Sequence, residues 1–433
     1  MKILIVNTSD LTGGAAVASF RLMEALTAKG LHPTMLVANR TGSHPAVKAL
    51  PNRWRHRLNF MWERWCIFCH LHFKRQHLFE IDMANAGTDI TRLPEFQQAD
   101  VVHLEWINQG MLSLRGIEKI LQSGKPVVWT MHDLWPLSSL CHYAEHCDGF
   151  KHACGNCNLL PGGGSSSDLS HRVMERKKRL LANHRISFVA CSEWLAAVGR
   201  QSTLAHGQEV VAIPNCINTT RFCPGDKLDA RRRLGLPAQQ RLLLFVSQRV
   251  TDERKGMRFF VEAMRLLAAE REKENSLVPD CGVIVLGGHA DEVAHQLAIP
   301  VYALGYVADE QRIIDIYRAA DVYVLPSLAD NLPNTIMEAM ACGTPCVGFR
   351  TGGIPEMIDG EGNLENGYVA QPADAADLLQ GILHVLDPVH YETLAANAVE
   401  KVNRCWAMKQ VAASYTSLYK RLLENKQTQT KQP

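Results

Sequence analysis

The sequence predicts an α/β fold of two doubly wound, parallel-sheet (Rossmann-like) domains facing a cleft. Three observations predict it. The chain has 433 residues, too many for one ordinary core, and two domains of about 200 residues each is the natural division. Its strand-like segments are short, continuously apolar runs, as expected of strands buried on both faces of a parallel sheet. These runs alternate with segments of helical apolar spacing, so that the strand–turn–helix–strand order of βαβ units occurs in both halves.

Residues 2–7 form the first apolar run. Gly13-Gly14 makes a tight turn, residues 15–29 have helical spacing that stops at Gly30, and 33–38 read as the next strand. Runs at 100–104, 126–131, 186–190 and 210–213 complete an N-terminal domain of residues 1–213. A second alternation follows: strand 241–247, helix 257–269, strand 282–286, helix 310–319, strand 321–325, helix 335–341, strand 345–349 and a helix through 373–386. These make a C-terminal domain of residues 214–406, with Pro214 and Pro224 in the hinge. Residues 407–433 hold a last helical stretch, 407–423, expected to pack back on the first domain, and a polar tail from 425 expected to fray. Residues 162–168 (GGGSSSD) read as a flexible loop.

Apolar residues at 46% and charged residues at 21% exclude global disorder. The net charge of +2 argues against an obligate nucleic-acid partner, because phosphate binding needs concentrated positive charge. The N-terminal apolar run is too short for a signal peptide, and no stretch approaches the roughly 18 apolar residues that span a bilayer. A cytoplasmic protein is expected. Its thirteen cysteines then read as reduced thiols or metal ligands.

The strand ending at Leu325 runs into PSLADNLPNTIMEAMACGTPCV. A helix N-terminus after such a strand is an anion site, because its open N–H groups and positive dipole end point at a ligand. Glu338, inside that helix, can reach a ribose hydroxyl pair, and Asp330, just outside it, the hydroxyls of a sugar. Taken alone, two carboxylates so spaced are as easily a solvated turn and a helix-surface charge.

Here the chain resembles the family 4 glycosyltransferases, which have the GT-B fold and retain configuration at the anomeric carbon. Their E-x7-E motif corresponds to Asp330-x7-Glu338, followed by AMACGTPCV. SQRVTDERKG resembles the family's G-R-(x)n-K-G segment through Arg249, Lys255 and Gly256, and IPNCIN resembles its hinge segment I-P-N-G-V-D. The resemblance implies a nucleotide-diphosphate sugar as donor. Arg249 and Lys255 would stabilise the leaving diphosphate and Glu338 would hold the ribose. Asp330, Asn331, Leu332 and Asn334 would line the donor site, and Gly13-Gly14 would lie by the donor phosphates. Asp330 in place of Glu, and Asn331 and Pro333 in place of glycines, depart from the pattern. They leave open a catalytically silent sugar-nucleotide binder that scaffolds polysaccharide assembly, and a sugar-nucleotide epimerase shares the fold. No D-x-D-type pair adjoins the donor segment, so no metal is expected in catalysis.

In the first half, VVWTMHDLWPLSSLCHY resembles a subgroup acting in capsule, colanic-acid-like and exopolysaccharide assembly, which implies a glycan or lipid-linked glycan acceptor. His132 and Asp133 end a strand and are expected to hydrogen-bond the donor sugar or orient the acceptor; a packed His–Asp pair is the plainer reading. Glu105 and Asn108 follow the strand ending at Leu104 and are further acceptor candidates. Cys141, Cys147, Cys154 and Cys157 are spaced C-x5-C-x6-C-x2-C, which can surround a structural Zn²⁺, with His142, His146 or His152 able to replace one thiolate. Four reduced thiols in a loop is the alternative. Finally, residues 52–79 mix Trp and Phe with Arg and Lys. This is the composition of a helix lying in the inner face of a cytoplasmic membrane, or of an amphipathic helix packed by its apolar face on the first domain.

Overall fold

The computed structural model describes residues 1–145 and 147–431. The chain forms two compact units, Met1–Cys216 with Lys409–Pro433, and Ile217–Met408. The sequence reading set these boundaries two to three residues earlier.

The first unit holds a seven-stranded sheet in the order β3-β2-β1-β4-β5-β6-β7. Its strands are β1 (Lys2–Ser9), β2 (His32–Asn39), β3 (Val47–Ala49), β4 (Val101–Leu104), β5 (Val127–Met131), β6 (Ser187–Ala190) and β7 (Glu209–Ala212). Every adjacent pair is parallel. The second unit holds a six-stranded sheet in the order β10-β9-β8-β11-β12-β13, built from β8 (Arg241–Arg249), β9 (Cys281–Gly288), β10 (Val301–Gly305), β11 (Val322–Leu325), β12 (Cys346–Phe349) and β13 (Gly367–Ala370). It too is parallel throughout. The central strands are the apolar runs seen in the sequence. Their middles are buried because helices cover both faces, and they carry the two cores, one around Val6, Leu104, Trp129 and Phe188 and one around Phe245, Val285, Val324 and Phe349. In each sheet the chain order reverses beside the first strand, at β1/β4 and at β8/β11. Ligands of doubly wound sheets bind at such switch points, outside the carboxyl ends of the strands.

The sequence reading missed β3, β10 and β13, and all three are sheet edges. An edge strand is only partly covered, so it needs no continuous apolar run; all five residues of β10 are half-buried. Two further expectations differ. The 162–168 loop is anchored, because the Asp168 carboxylate accepts from the backbone N–H of Cys157, Ser165 and His171 and caps the helix Leu169–Ala182. The C-terminal helix does not stop at 423; it runs Met408–Lys431. Among the described residues no helix is long and apolar enough to cross a membrane.

Candidate active site

In the second unit, β8 ends at Arg249, whose side chain is exposed. A short turn, Glu253–Lys255, then leads into the helix Met257–Arg271. Gly256 between them has φ +72°, and a Cβ there would overlap the carbonyl oxygen of Pro326. Glycine thus lets this turn press against the end of β11, which brings Lys255 to Asp330. Lys255 Nζ donates to Asp330 Oδ2 at 2.6 Å. Asp330 is buried; burial opposes its charge, but Lys255 and Arg254 outweigh this and hold the carboxyl below its usual range. Gly352, at φ +56°, closes the other side, since a Cβ there would overlap the Asp330 carbonyl.

The helix after β11 is Asn334–Ala341, entered through Pro333 with no side-chain cap. Asn331 and Leu332 are buried just before it, and Asn334 is half-buried. One turn in, buried Glu338 accepts from the Tyr317 hydroxyl at 2.8 Å. Burial raises the pKa of the Tyr323 phenol on β11, and the charges of Asp330 and Glu338 both push it further in the same direction. The two carboxylates therefore act on one locale beside the β8/β11 switch point. Neither Tyr317 nor Tyr323 stood out in the sequence.

In the first unit, His132 follows β5 and Glu105 follows β4. His132 Nε2 lies 2.7 Å from Glu105 Oε2, and His132 Nδ1 lies 3.7 Å from Cys191 Sγ. Burial disfavours charge on His132, but Cys191 and Glu105 outweigh it, so the imidazole is held protonated well above its ordinary range. Beneath them, His103 Nε2 bonds Thr130 Oγ1 and its Nδ1 bonds the Tyr419 hydroxyl, both at 2.7 Å. Burial lowers the His103 pKa and keeps it neutral. Tyr415 from the C-terminal helix meets Thr130 at 2.9 Å. A small recess lined by Glu105, Thr130, His132, Asn215, Cys216 and Tyr415 opens here. The tyrosines, His103 and Cys191 were not anticipated; the helical spacing of the C-terminus was legible, but not which strand its tyrosines meet.

Asp133 lies beside His132 yet turns into the fold. It accepts from Trp135 N, Trp106 Nε1 and His142 Nδ1. The other ring nitrogen of His142 meets Asp82 Oδ2 at 2.8 Å, and Asp82 is paired with Arg64. Asn108 is buried, and its amide nitrogen has no hydrogen-bond partner among the described residues. Gly13 has φ +93° and no side-chain cap follows it, so the helix Gly14–Ala28 opens on backbone N–H groups.

Cys141, Cys147, Cys154 and Cys157 are free thiols in one segment. Burial, reinforced by the neighbouring cysteines, pushes Cys141 up to about 11 and Cys154 up to about 12. Among the described residues no group of three or more His, Cys, Asp or Glu side chains is arranged to hold a metal ion. His142 has both nitrogens committed to carboxylates and has none left for a metal. His152 is exposed, and His146 lies outside the described residues.

Residues 12–221 match the family model for Glycosyltransferase Family 4, and residues 240–388 the model for Glycosyl transferases group 1. The D-inositol 3-phosphate glycosyltransferase 2 of Catenulispora acidiphila is 33% identical over 271 residues, covering 59% of this chain and 58% of that protein. The D-inositol 3-phosphate glycosyltransferase of Corynebacterium diphtheriae is 29% identical over 298 residues, 65% of each. The chain thus spans less than two thirds of these curated relatives. Among solved structures it is similar to sucrose-phosphate synthase from Thermosynechococcus elongatus, with a TM-score of 0.67 at 20% identity over 98% of this chain and 99% of that one. It is also similar to Anabaena HepE in complex with UDP and glucose, with a TM-score of 0.64 at 17% identity over 97% and 100%. At such identities the likeness carries the fold, which is the GT-B class.

Proposed function

We propose that this chain, matched by the Glycosyltransferase Family 4 and Glycosyl transferases group 1 models, moves a sugar from a nucleotide-diphosphate donor to a surface-polysaccharide acceptor carried on a lipid, with retention at the anomeric carbon. The observation that carries this reading is the Lys255–Asp330 contact at the end of β11, within two turns of Glu338. It joins a cation from the turn after β8 to the loop and helix after β11, which carry one carboxylate for the sugar and one for the ribose. The HepE structures with UDP and with UDP-glucose support the donor class.

As the glycosidic bond breaks, the leaving diphosphate gains negative charge. Lys255 and Arg249 stabilise that charge, and do so best when water is excluded. Asp330 holds the donor sugar by its hydroxyls and Glu338 holds the ribose. The acceptor hydroxyl attacks from the face the diphosphate leaves, and a leaving phosphate oxygen takes its proton, which preserves configuration. His132, whose ring nitrogens face Glu105 and Cys191, fixes the position of Glu105 in the acceptor recess, and the Asn108 amide is a hydrogen-bond donor for the acceptor.

Incubation with UDP-glucose and other sugar nucleotides tests this directly. Free nucleoside diphosphate is expected to accumulate only when a glycan-lipid acceptor is added, with inositol phosphate as the comparison arm that the relatives suggest. Release that ignores every acceptor, or no release at all, refutes transfer. At a hundred times its dissociation constant the donor should stabilise the fold by about 2.7 kcal/mol. Glu338→Ala is expected to abolish that thermal shift in a protein that still folds; a full shift would remove Glu338 from the site.

A further inference from the structure

The helix Arg53–His70 is inverted relative to an ordinary surface helix. Its buried residues are His56, Glu63, Arg64 and Ile67, so ionisable groups point inward. Arg64 pairs with Asp82, and Glu63 accepts from Ala84 N at 2.6 Å. Outward point Trp54, Leu58, Met61, Trp62 and Trp65, each between 53% and 75% exposed. At 100° per residue these five fall within an arc of about 100°, opposite the buried side. Phe73, just past the helix and 64% exposed, extends the patch through Trp65 and Phe68. A surface helix normally turns such a stripe toward its core, and leaving it in water implies something that covers it.

Charge identifies the cover. Exposed Arg55 and Arg57 border the stripe on its two sides, and Arg53 precedes it. The helix's one acidic residue, Glu63, is buried, so the exposed charge on the helix itself is wholly positive. Two copies of this face packed on a two-fold axis would set arginine against arginine, whereas an anionic bilayer offers acyl chains to the stripe and phosphates to its border. Beside the first turns, a cavity of about 500 Å³ is lined by Asn39, Arg53, His56, Arg57 and Gln109 among others, room for a headgroup phosphate between two guanidinium groups. We propose that the helix Arg53–His70 is a docking surface for an anionic lipid bilayer, with its Trp/Leu/Met stripe inserted at the interface and its arginines on the phosphates. The surface stands independently of the transferase reading, since it involves none of the residues assigned to donor or acceptor.

Co-sedimentation of the full chain with vesicles tests it. Vesicles of equimolar phosphatidylglycerol and phosphatidylcholine are expected to bind at least tenfold more tightly than vesicles of phosphatidylcholine alone, with a blue shift of tryptophan emission. Trp62→Glu with Trp65→Glu should abolish binding. Arg53→Gln, Arg55→Gln and Arg57→Gln together should weaken it on the order of a hundredfold, and salt should weaken the wild type in the same sense. All these sites are exposed, so circular dichroism and the donor-induced thermal shift should be unchanged. Equal binding to neutral vesicles, no binding to either, or binding that survives both variants overturns the proposal. So does a wild-type dimer that the tryptophan variant makes monomeric. Vesicle binding without donor binding would leave this surface standing and remove the enzymatic reading.

Discussion

Lys255→Met is expected to lower turnover on the order of 10²–10³-fold, the usual loss when one preorganised group facing transition-state charge is removed. Lys255 is poised for this because the Gly256 turn presses it against the end of β11, where it already neutralises a buried carboxylate at 2.6 Å. A donor diphosphate would compete with Asp330 for the same ammonium. That invites a plainer explanation, in which Lys255 only compensates Asp330. The double variant Lys255→Met/Asp330→Asn separates the two. It removes the buried charge together with its partner, so a purely compensating lysine would then be dispensable and the fold would regain its stability. If Lys255 meets the leaving diphosphate, stability returns but turnover falls well below that of Asp330→Asn alone; a purely compensating lysine would leave the double variant and Asp330→Asn equally active. Lys255→Arg, which keeps the charge, should recover part of the rate. Single-turnover rates at saturating donor, beside urea denaturation of each variant, make the comparison. Full turnover in Lys255→Met would end the assignment.

Asp82→Ala is expected to destabilise the first unit by roughly 3–5 kcal/mol, the range for removing one partner of a buried ion pair. It would strip a charge from both Arg64 and His142, which are themselves buried. The same cluster predicts an unusual pH response. Burial opposes charge on His142, but Asp133 and Asp82 outweigh it and raise the pKa from 6.5 to about 10. Its contribution to stability is therefore complete below about pH 6.5 and is lost as the pH climbs through about 10. Lys177 acts oppositely. Burial lowers its pKa from 10.5 to about 7, so the unfolded chain binds the extra proton across that interval and stability rises with pH. In the wild type the two slopes, each about 1.4 kcal/mol per pH unit, largely cancel between roughly pH 7 and 10. Lys177→Met should expose the fall due to His142, and His142→Gln the rise due to Lys177. Denaturation midpoints followed across that range test this; parallel pH profiles for the wild type and both variants would refute it.

The donor segment was legible in sequence because its residues are consecutive or nearly so: Arg249, Lys255 and Gly256 lie in one loop, Asp330 and Glu338 in another. A short loop leaves few ways to place its groups, and glycine at a crowded turn announces a close approach. The first unit was harder to read. Glu105, Asn108 and Asp133 each read as a polar residue at a strand end, with nothing local to show that Asp133 is spent on His142 and Trp106 while the Asn108 amide is left unspent. Tyr415 and Tyr419 sit more than 280 residues from Thr130 and His103, and helical periodicity says only that such residues share a face.

The two doubly wound sheets, the positions of their central strands along the chain and the donor motif follow from the chain's own pattern, because apolar runs and turn glycines are local consequences of burial on both faces. Three matters needed the folded molecule: the edge strands, the hydrogen-bonded network under His132, and the direction in which the Arg53–His70 helix turns its tryptophans. In each of these, the outcome depends on partners outside the segment itself. The helix shows why: its tryptophans point outward because Glu63 and Arg64 find their partners, Ala84 and Asp82, on the inside.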